Sequence, residues 1–429
     1  MPIKEKVFWH DTVSMPGEEI LVDLPARVDF AVIGGGIPGL AAALRLARRG
    51  ASVAVLEAES MGWGASSRNG GMVLTGLKLG METIDARYGR DLTQALFEDS
   101  VRAIDTVEQL VTSEHIACDF QRSGHLLLAN KPAHYQALEK EAEMLASRFN
   151  HSTRLVTRQD LQSEIGSQVY HGALLDEASA GLNPAQYVVG LAQAAQRSGV
   201  ALCAFAQVTR LVKVQSGFHL ATTRGDLQAS QVLVTTGGYT SNVTPALQRR
   251  VIPIGSFIIA TRPLEQNLAA ELIPQRRMLF DYRHFLNYFR LSADNRMVFG
   301  GRAAFFPETP NTIKRSAIIL RQQMVQVFPQ LREVEVDYVW GGTLDFPFDL
   351  MPHAGQMEGV FFALGFAGHG VALGTQLGTR LADCMLSGTL KDLPYASYPF
   401  PTAPLGVYHG KPWFLPLIGA WHKILDWVE

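Results

Sequence analysis

The chain has 429 residues but only three cysteines and no long apolar run. Cys118, Cys203 and Cys384 are far apart and form no C-x-x-C pair, so the sequence predicts neither a disulfide framework nor a metal site. The first residues lead into no apolar segment, so we expect no secretory signal and a cytoplasmic, reducing location. No stretch of about 18 apolar residues is present, which argues against a transmembrane helix.

Positive charge is not in excess either. Lys and Arg total 38 and Asp and Glu total 40, a formal net charge of -2, so nucleic acid is not an expected partner. The hydrophobic content of 47% is that of a globular protein, and the length suggests two or three domains. The most membrane-like stretch, 413–427, is interrupted by Pro416, Lys423 and Asp426. Packing on the protein or a partner subunit and anchoring at a membrane interface both remain open for this tail, and a homo-oligomer remains open for the chain.

A short apolar run, a glycine-rich turn and an amphipathic segment follow one another near the amino terminus. The run 28–33 predicts a buried parallel strand, 37–49 a helix with proline in its first turn, and 52–56 the next strand. The turn fits G-x-G-x-x-G through Gly34, Gly36 and Gly39. In that pattern the glycines allow a tight turn, close approach of a pyrophosphate and close packing of helix on strand.

An acidic residue completes the dinucleotide pattern. Glu57 ends the second strand, 23 positions after Gly34, where its carboxylate can accept both ribose hydroxyls of an adenosine group. A chance glycine-rich turn would not require strand, helix, spacing and acid together. We therefore predict a dinucleotide site, although this motif does not distinguish NAD from FAD.

The remaining pattern is helical at first and then mainly extended. Helices are predicted at 92–110, 133–149 and 183–197, with strands at 125–128, 202–211, 218–222 and 231–235. Between 251 and 299 apolar and polar residues alternate repeatedly, which predicts a mainly antiparallel sheet. The chain therefore reads as α/β with two sheets of different kind.

A segment shortly after Glu57 carries the first family resemblance. Gly64-Ala65-Ser66-Ser67-Arg68-Asn69-Gly70-Gly71 combines small residues, hydroxyls, one arginine and paired glycines. Here the sequence resembles the D-amino-acid-oxidase-like (DAO) FAD oxidoreductases, the family of glycine oxidase and sarcosine oxidase, and within it the gamma-glutamylputrescine oxidase branch. The resemblance implies that the segment lies beside the flavin of a bound FAD, whereas a solvated loop after a strand is the plainer alternative.

Three further matches lie where the family would have them. The resemblance implies that Val208 contacts the adenine and that Thr236 and Gly237 lie near the cofactor. It also implies that Gly365-Phe366-Ala367-Gly368-His369-Gly370-Val371 contacts the flavin before a helix whose N-terminal dipole favours negative charge at the reduced ring. The full set of cofactor-binding residues that we expect is Gly34, Gly36, Ile37, Pro38, Gly39, Glu57, Ala58, Gly64, Ala65, Ser66, Ser67, Arg68, Asn69, Gly70, Gly71, Val208, Thr236, Gly237, Gly365, Gly368, His369, Gly370 and Val371.

The chain also departs from the family. Amino-acid-oxidising members place an arginine after a Trp-x-G segment, whereas Trp340-Gly341-Gly342 is followed here by Thr343-Leu344-Asp345. Arg302 or Arg290 could replace that carboxylate clamp, but an amine substrate without an α-carboxylate is the simpler interpretation. No suitable cysteine lies near Leu344 and no histidine follows Arg68, so noncovalent FAD is expected.

The resemblance implies a Rossmann-like FAD-binding domain of the glutathione reductase type with a discontinuous substrate domain on a mainly antiparallel sheet. We expect 1–81, 153–245 and 346–429 in the first domain and 82–152 and 246–345 in the second. Tyr282, Tyr288 and Phe289 could form a wall of the substrate pocket or belong to the sheet core. The candidate catalytic residues are Tyr282, Tyr288, Arg302 and His369.

The expected function is FAD-dependent oxidation of a primary or secondary amine, including gamma-glutamylated amines, by hydride transfer to flavin N5. The imine would hydrolyse to an aldehyde or keto product, and oxygen or another acceptor would reoxidise the flavin. Positioning and desolvation should contribute more than an acid–base pair. Oxidation of a small amino acid such as glycine, sarcosine or a D-amino acid, and an electron-transfer or structural flavoprotein, are the alternatives.

Overall fold

The computed structural model describes residues 3–15, 23–283, 286–304, 310–403, 406, 408–410, 412 and 414–415. The helices are α1 Ile37–Arg48, α2 Ala65–Arg68, α3 Met81–Tyr88, α4 Arg90–Ser113, α5 Pro132–Phe149, α6 Pro184–Arg197, α7 Pro245–Gln248, α8 Gln266–Leu272, α9 Pro310–Val327 and α10 Ala372–Ser387. The strands are β1 Arg27–Ile33, β2 Val53–Leu56, β3 Met72–Val73, β4 His125–Leu128, β5 Arg154–Thr157, β6 Gly172–Asp176, β7 Ala180–Gly181, β8 Ala201–Cys203, β9 Val208–Val214, β10 Gly217–Thr222, β11 Gly225–Val234, β12 Val251–Thr261, β13 Met278–Asp281, β14 Tyr288–Leu291, β15 Met297–Ala304, β16 Val336–Pro347, β17 His353–Met357 and β18 Val360–Leu364.

The first sheet has a parallel core, as the apolar runs predict. Its strand order is β17-β18-β11-β1-β2-β8, with β10 and β9 attached as a hairpin beside β11. The strand β1 pairs in parallel with both β2 and β11, and its four central and carboxyl-terminal residues are buried. Because α1 crosses between β1 and β2, the carboxyl ends of these strands and the start of α1 lie at one edge.

The second sheet is mainly antiparallel, as the alternating pattern predicts. Its order is β16-β12-β15-β14-β13-β4-β6-β5, and the pairing of β13 with β4 is its one parallel pairing among the described strands. Alternate residues of these strands, such as Leu126, Leu279 and Phe289, pack against α8 and α9 in a core of their own. The opposite face of this second sheet is not covered by α8 and α9 and can face the first sheet.

One predicted strand has different bounds in the structure, and three further elements pack across the expected domain division. The predicted strand 202–211 is two strands, β8 and β9, because the chain turns at Phe205, which has a φ of +54° and donates its N–H to the Glu59 carbonyl. The strands β5 and β6, assigned to the FAD-binding domain by the boundary at 153, belong to the second sheet through pairing with β4. The helix α4, assigned to the substrate domain, packs on α10 because its apolar face completes the first core.

The other predicted elements are confirmed within a few residues. This includes the β1-α1-β2 unit, the helices α4, α5 and α6, and the strands β4 and β10, whereas β11 begins at Gly225, six residues before the predicted start at 231. Of the apolar tail 413–427, the structure describes Phe414 and Leu415, and Leu415 is buried beside Tyr408. The other residues of that tail lie outside the described part of the chain. Across the described ranges, the structure contains no helix with the length and hydropathy needed to span a membrane.

Candidate active site

The turn between β1 and α1 is so tight that two of its positions require glycine. Gly34 has a φ of +110°, which residues with a side chain rarely adopt. A Cβ on Gly39 would lie 2.1 Å from the Gly34 carbonyl oxygen and 2.8 Å from Thr235 Oγ1. Gly36 is the N-cap of α1, and Pro38 occupies the first turn. The start of α1 is therefore packed directly on its own strand, as a dinucleotide-binding turn requires.

Ser66 lies against the first turn of α1. Its Oγ accepts a hydrogen bond from the Ile37 N–H at 2.9 Å. A Cβ on Gly36 would come within 2.7 Å of the same oxygen. The first N–H groups of a helix have no partner within the helix and carry its positive dipole end. The predicted pyrophosphate position and the Gly64–Gly71 segment are therefore adjacent.

Glu57 and the strand that contains Val208 meet at the end of β2. The carboxylate of Glu57 accepts from the Gly35 N–H at 2.7 Å and the Glu59 N–H at 3.1 Å. Burial raises the pKa of Glu57, although these backbone donors oppose the rise. The backbone carbonyl of Glu57 accepts from the Ala206 N–H at 2.7 Å, which holds the start of the strand that contains Val208 against the end of β2. The predicted ribose and adenine contacts are thus neighbours in space.

The Gly64–Gly71 segment is fixed by its own side chains and by the second sheet. Arg68 Nε donates to the Trp63 carbonyl at 2.7 Å, and the guanidinium lies 4.4 Å from the centre of the Trp63 ring. Asn69 Nδ2 donates to the Ser66 carbonyl at 2.9 Å, while Asn69 Oδ1 accepts from the Gly71 N–H at 2.8 Å. From β16, Trp340 Nε1 donates to the Arg68 carbonyl at 2.8 Å. The segment is an ordered junction between the two sheets, not a solvated loop.

The amino-terminal segment also contacts this junction, which the sequence motifs did not predict. Trp9 Nε1 donates to the Asn69 carbonyl at 2.9 Å, and His10 Nε2 lies 2.8 Å from Ser67 Oγ. Burial and the positive charge of Arg68 lower the pKa of His10 to about 4. A neutral histidine therefore lies against the Gly64–Gly71 segment.

Asp345, at the end of β16, joins three segments that the sequence analysis treated separately. Its Oδ2 accepts from the Gly365 N–H at 2.6 Å, and its carbonyl accepts from the Ala367 N–H at 3.1 Å. A Cβ on Gly237 would lie 3.7 Å from the same Oδ2. Burial raises the pKa of Asp345 to about 6, against hydrogen bonds from the backbone of Gly365 and Phe366. Asp345 thus positions the turn that resembles the flavin-binding motif.

That turn places His369 immediately before α10. Ala367 and Gly368 have φ values of +48° and +99°, so two successive residues adopt the left-handed region. His369 Nδ1 is buried and has no hydrogen-bond partner in the part of the chain that the structure describes. Burial, followed by the positive charge of Lys78, lowers the pKa of His369 to about 3. His369 is therefore a neutral imidazole with an unused polar atom.

The free face of the second sheet supplies a wall opposite these glycines. Tyr288 lies directly across from Phe280 in the antiparallel pair β13–β14, so both rings project from one face. Phe280 stacks on His125 of β4, with ring centres 5.1 Å apart. The Tyr288 hydroxyl lies 3.3 Å from Ser256 Oγ, and a Cβ on Gly70 would come within 3.1 Å of its ring. All four wall residues, Ser256, Tyr288, Phe280 and His125, are partly exposed.

The other candidate residues lie elsewhere. Tyr282 is 39% exposed, follows the end of β13 that pairs with Leu128, and packs against His134. Phe289 is fully buried in the core beneath α9. Arg302 belongs to β15 by its backbone, but its side chain lies outside the described residues.

Arg290 is buried and contacts backbone rather than open space. Its Nη1 donates to the carbonyls of Gly71 and Leu182, each at 2.9 Å, and its Nε donates to Leu291 at 3.2 Å. Burial lowers its pKa to about 10. Arg290 therefore links β14 to the paired glycines Gly70 and Gly71.

Sequence reasoning missed Phe280, His125 and Lys78. Alternation along β4 and β13 distinguishes the residues facing the core from those on the other face. It does not reveal that the other face covers the glycine-rich segments instead of solvent. Lys78 belongs to no motif, and only the fold brings its charge close to His369.

The glycine turns, Glu57 and the unpartnered nitrogen of His369 suit the binding of an FAD molecule. The β1-α1 turn and Ser66 form a cradle in which a Cβ at Gly36 or Gly39 would meet existing atoms. Glu57 lies beside the strand of Val208 at the expected adenosine end. At the other end, His369 has an unpartnered buried nitrogen, and an added Cβ on Gly368 would meet no atom within 4 Å. An extended cofactor can therefore run from the β2 edge to the wall of the second sheet.

Comparison with protein families identifies the same architecture. The family model described as FAD dependent oxidoreductase (DAO) matches residues 29–384. The crystal structure of glycine oxidase from Geobacillus kaustophilus superposes with a TM-score of 0.72 at 20% identity, covering 90% of this chain and 99% of that one. This agreement confirms the predicted fold class of a Rossmann-like layer with a mainly antiparallel second sheet.

Curated relatives cover most of the chain as well. A probable oxidoreductase OrdL from Haemophilus influenzae is 33% identical over 84% of this chain and 83% of its own length. Gamma-glutamylputrescine oxidoreductase from Escherichia coli is 31% identical over 87% of this chain and 88% of its own length. The chain therefore belongs to the DAO family of FAD-dependent oxidoreductases and is an amine or amino-acid oxidoreductase of that type.

Proposed function

We propose that the protein oxidises the C–N bond of a primary or secondary amine whose reacting carbon bears no carboxylate. Gamma-glutamylated amines are the leading substrate class, since a relative with that printed activity shares 31% of its residues over most of the chain. The observation that carries the proposal is the position of Arg290. Arg290 is one of two arginines that could hold a substrate carboxylate in place of the missing arginine after Trp340. Its guanidinium instead donates to the backbone carbonyls of Gly71 and Leu182, so it is already engaged by the protein.

The wall is suited to a neutral amine. Burial raises the pKa of the Tyr288 phenol to about 12, with partial opposition from the Ser256 hydrogen bond, so Tyr288 stays neutral. His369 is also neutral because its pKa lies at about 3. An ammonium ion would find no carboxylate among Ser256, Tyr288, Phe280 and His125, whereas a neutral amine keeps the nitrogen lone pair that oxidation requires. These side chains orient the substrate and exclude water from it.

FAD, when bound, supplies the acceptor for a hydride. This hydride is the hydrogen of the C–H bond beside the substrate nitrogen, together with the electron pair of that bond. The substrate nitrogen forms a double bond to that carbon and loses a proton. Water then adds to the imine, and the C–N bond breaks to give an aldehyde or ketone with ammonia or a smaller amine. No acid–base pair of the protein is needed, since the amine enters neutral and the imine hydrolyses in water.

The chain would hold FAD through its glycine segments without a covalent bond. The β1-α1 turn would take the pyrophosphate, Glu57 the ribose, and the turn before α10 the flavin. None of the three free cysteines is among the predicted flavin contacts. Acid precipitation should therefore release the yellow colour into the supernatant, and retention of colour in the pellet would contradict noncovalent binding.

The experiment that tests the function is an anaerobic absorbance titration of the purified flavoprotein. Three panels are compared: gamma-glutamylated amines, simple amines, and glycine, sarcosine and D-amino acids. Bleaching by the amines supports the proposal, and fast recovery in air indicates oxygen as the acceptor, whereas slow recovery indicates another one. Bleaching by amino acids alone refutes it, and no bleaching by any panel favours an electron-transfer or structural flavoprotein.

A matched pair of tyrosine variants locates the substrate. Tyr288→Leu should weaken amine binding by about 5- to 50-fold, the worth of one aromatic contact, because this ring lines the wall. Tyr282→Leu should leave binding unchanged, because that exposed ring packs against His134. Equal effects of the two changes on flavin reduction would show that the wall is not the substrate site.

A further inference from the structure

Residues 4–12 cross the junction between the two sheets, and we call them the strap. At one end, the Lys4 N–H donates to the Asp337 carbonyl of β16 at 2.8 Å, which adds the strap to an edge of the second sheet. At the other end, Asn183 Nδ2 donates to Thr12 Oγ1 at 2.8 Å, at the start of α6. Since α6 packs on α1 of the first layer, the strap is fastened to both layers of the protein.

The middle of the strap is buried. Phe8 and Trp9 are 4% and 2% exposed, and both pack on the second sheet beside Trp340 of β16. Trp9 Nε1 donates to the Asn69 carbonyl at 2.9 Å, so the indole N–H has the partner that a buried indole requires. The strap is therefore held in one position against the Gly64–Gly71 segment.

Two successive serines of that segment face different neighbours. Ser66 is partly exposed, and its Oγ accepts from the Ile37 N–H at the first turn of α1. Ser67 is fully buried, and its Oγ lies 2.8 Å from His10 Nε2, which is its hydrogen-bond partner among the described residues. The hydroxyl of Ser66 is therefore directed to the predicted pyrophosphate position, whereas the hydroxyl of Ser67 is directed to the strap.

We infer that His10 is a positioning residue for the oxidation, because its bond to Ser67 holds the Gly64–Gly71 segment in place. The inference rests on the proposed function, in which this segment lies beside the flavin of bound FAD. His10 acts on the reaction through Ser67, and Trp9 supports it through the Asn69 carbonyl. A displacement of about 1 Å between reacting groups costs about 100-fold in rate, so a fixed segment matters directly for hydride transfer.

The chemistry of the bond defines which substitutions preserve it. Burial, followed by the positive charge of Arg68, lowers the pKa of His10 to about 4, so the imidazole is neutral at physiological pH. A neutral imidazole nitrogen either accepts the Ser67 O–H or donates its own N–H to Ser67 Oγ. A glutamine amide offers both an acceptor and a donor, whereas leucine offers neither. His10→Gln therefore keeps the bond, and His10→Leu removes it.

The test compares variants with the wild type, each loaded with FAD. His10→Leu and Ser67→Ala remove the bond from either side, a double variant combines the two changes, and His10→Gln preserves the bond. His219→Leu on β10 is the matched control, since His219 pairs with Asp226 of its own hairpin. The measured quantities are the visible circular dichroism of the bound flavin, the FAD dissociation constant, the melting temperature, and the anaerobic rate of flavin reduction at saturating gamma-glutamylputrescine.

His10→Leu and Ser67→Ala should each change the flavin circular dichroism, raise the FAD dissociation constant about fivefold and lower the saturated reduction rate about tenfold. The amine concentration for half-saturation should stay unchanged, because His10 acts on the flavin position and not on the amine. The double variant should be no slower than either single variant, because both changes remove the same bond. It should also melt above His10→Leu, since no buried hydroxyl is then left unpaired. His10→Gln should restore most of the wild-type rate, and the control should match the wild type.

The inference fails if His10→Leu keeps the wild-type flavin circular dichroism and reduction rate. It also fails if the double variant recovers both the melting temperature and the rate, because His10 would then serve only to satisfy a buried hydroxyl. Should His10→Leu not fold, Ser67→Ala, which leaves no unpaired hydroxyl, decides between the same outcomes. If no amine reduces the wild type, the proposed function fails, whereas the circular dichroism and FAD affinity of the variants still test the positioning role.

Discussion

Replacing Asp345 with asparagine removes a charge from the buried junction between β16 and the Gly365–Val371 turn. The side chain is 6% exposed, and Oδ2 accepts from the Gly365 N–H at 2.6 Å. Asparagine keeps an oxygen that can accept this bond and has nearly the same shape. The substitution therefore separates the charge of Asp345 from its geometry.

The expected effect follows from the pKa of the carboxyl group. Burial raises the pKa from its ordinary value of 3.8 to about 6. Well below pH 3.8 the group is neutral in both the folded and the unfolded chain, and well above pH 6 it is ionised in both. Each pKa unit corresponds to 1.36 kcal/mol, so ionisation costs the folded protein about 3 kcal/mol at pH 7. This part of the stability is lost as the pH rises from about 4 to about 6.

Asp345→Asn should therefore match the wild type near pH 4 and exceed it at neutral pH. For 429 residues, an unfolding entropy of about 2 cal/mol/K per residue converts about 3 kcal/mol into a shift of about 3 °C in melting temperature. Thermal unfolding of the apoprotein across this pH range, followed by tryptophan fluorescence, measures the difference. Asp345→Ala is the contrasting variant, and it should lose FAD affinity at every pH because the Gly365 N–H loses its acceptor.

The reasoning would be refuted if Asp345→Asn melted below the wild type at pH 8. That result would mean that the backbone N–H groups stabilise the anion by more than burial costs it. A shift that is the same at pH 4 and pH 8 would also contradict a titrating carboxyl group. Flavin fluorescence of the holoprotein checks that the asparagine variant still binds FAD.

Four other changes test the site and the fold. Gly39→Ala should reduce FAD affinity at least about tenfold because the added Cβ would lie 2.1 Å from the Gly34 carbonyl oxygen. Gly80→Ala is the control, since a Cβ at Gly80 would meet no atom within 4 Å. Equal flavin content in the two variants would contradict the prediction. Glu57→Gln should weaken FAD binding about fivefold in a fluorescence titration, since a neutral acceptor forms weaker hydrogen bonds. Arg290→Met should lower the unfolding free energy by about 2–5 kcal/mol in urea, as two buried carbonyls lose their donor. Asn183→Ala should cost about 1 kcal/mol in the same assay because Asn183 caps α6, and an unchanged midpoint would exclude that role.

Local patterns determined much of the fold because they act over a few residues. Continuous apolar runs predicted β1 and β2, alternation predicted the antiparallel sheet, and Asn183 before Pro184 predicted the start of α6. The prediction of a single strand at 202–211 was wrong because nothing in the local pattern indicates that Phe205 adopts a positive φ. The pairing of β6 with β4 across the expected domain boundary at 153 joins distant parts of the chain, and no local pattern indicates it.

The sequence by itself also indicated a dinucleotide site through the spacing from Gly34 to Glu57, and the resemblance of the Gly64–Gly71 segment to the DAO family implied that the dinucleotide is FAD. Only the tertiary structure decided which side chains surround the cofactor position. It turned Tyr288 toward Gly70, left Tyr282 exposed, and directed Arg290 to backbone carbonyls. It also brought Lys78 close to His369, nearly 300 positions away in the chain. Such encounters depend on how two sheets pack against each other, and no periodicity within either segment encodes that packing.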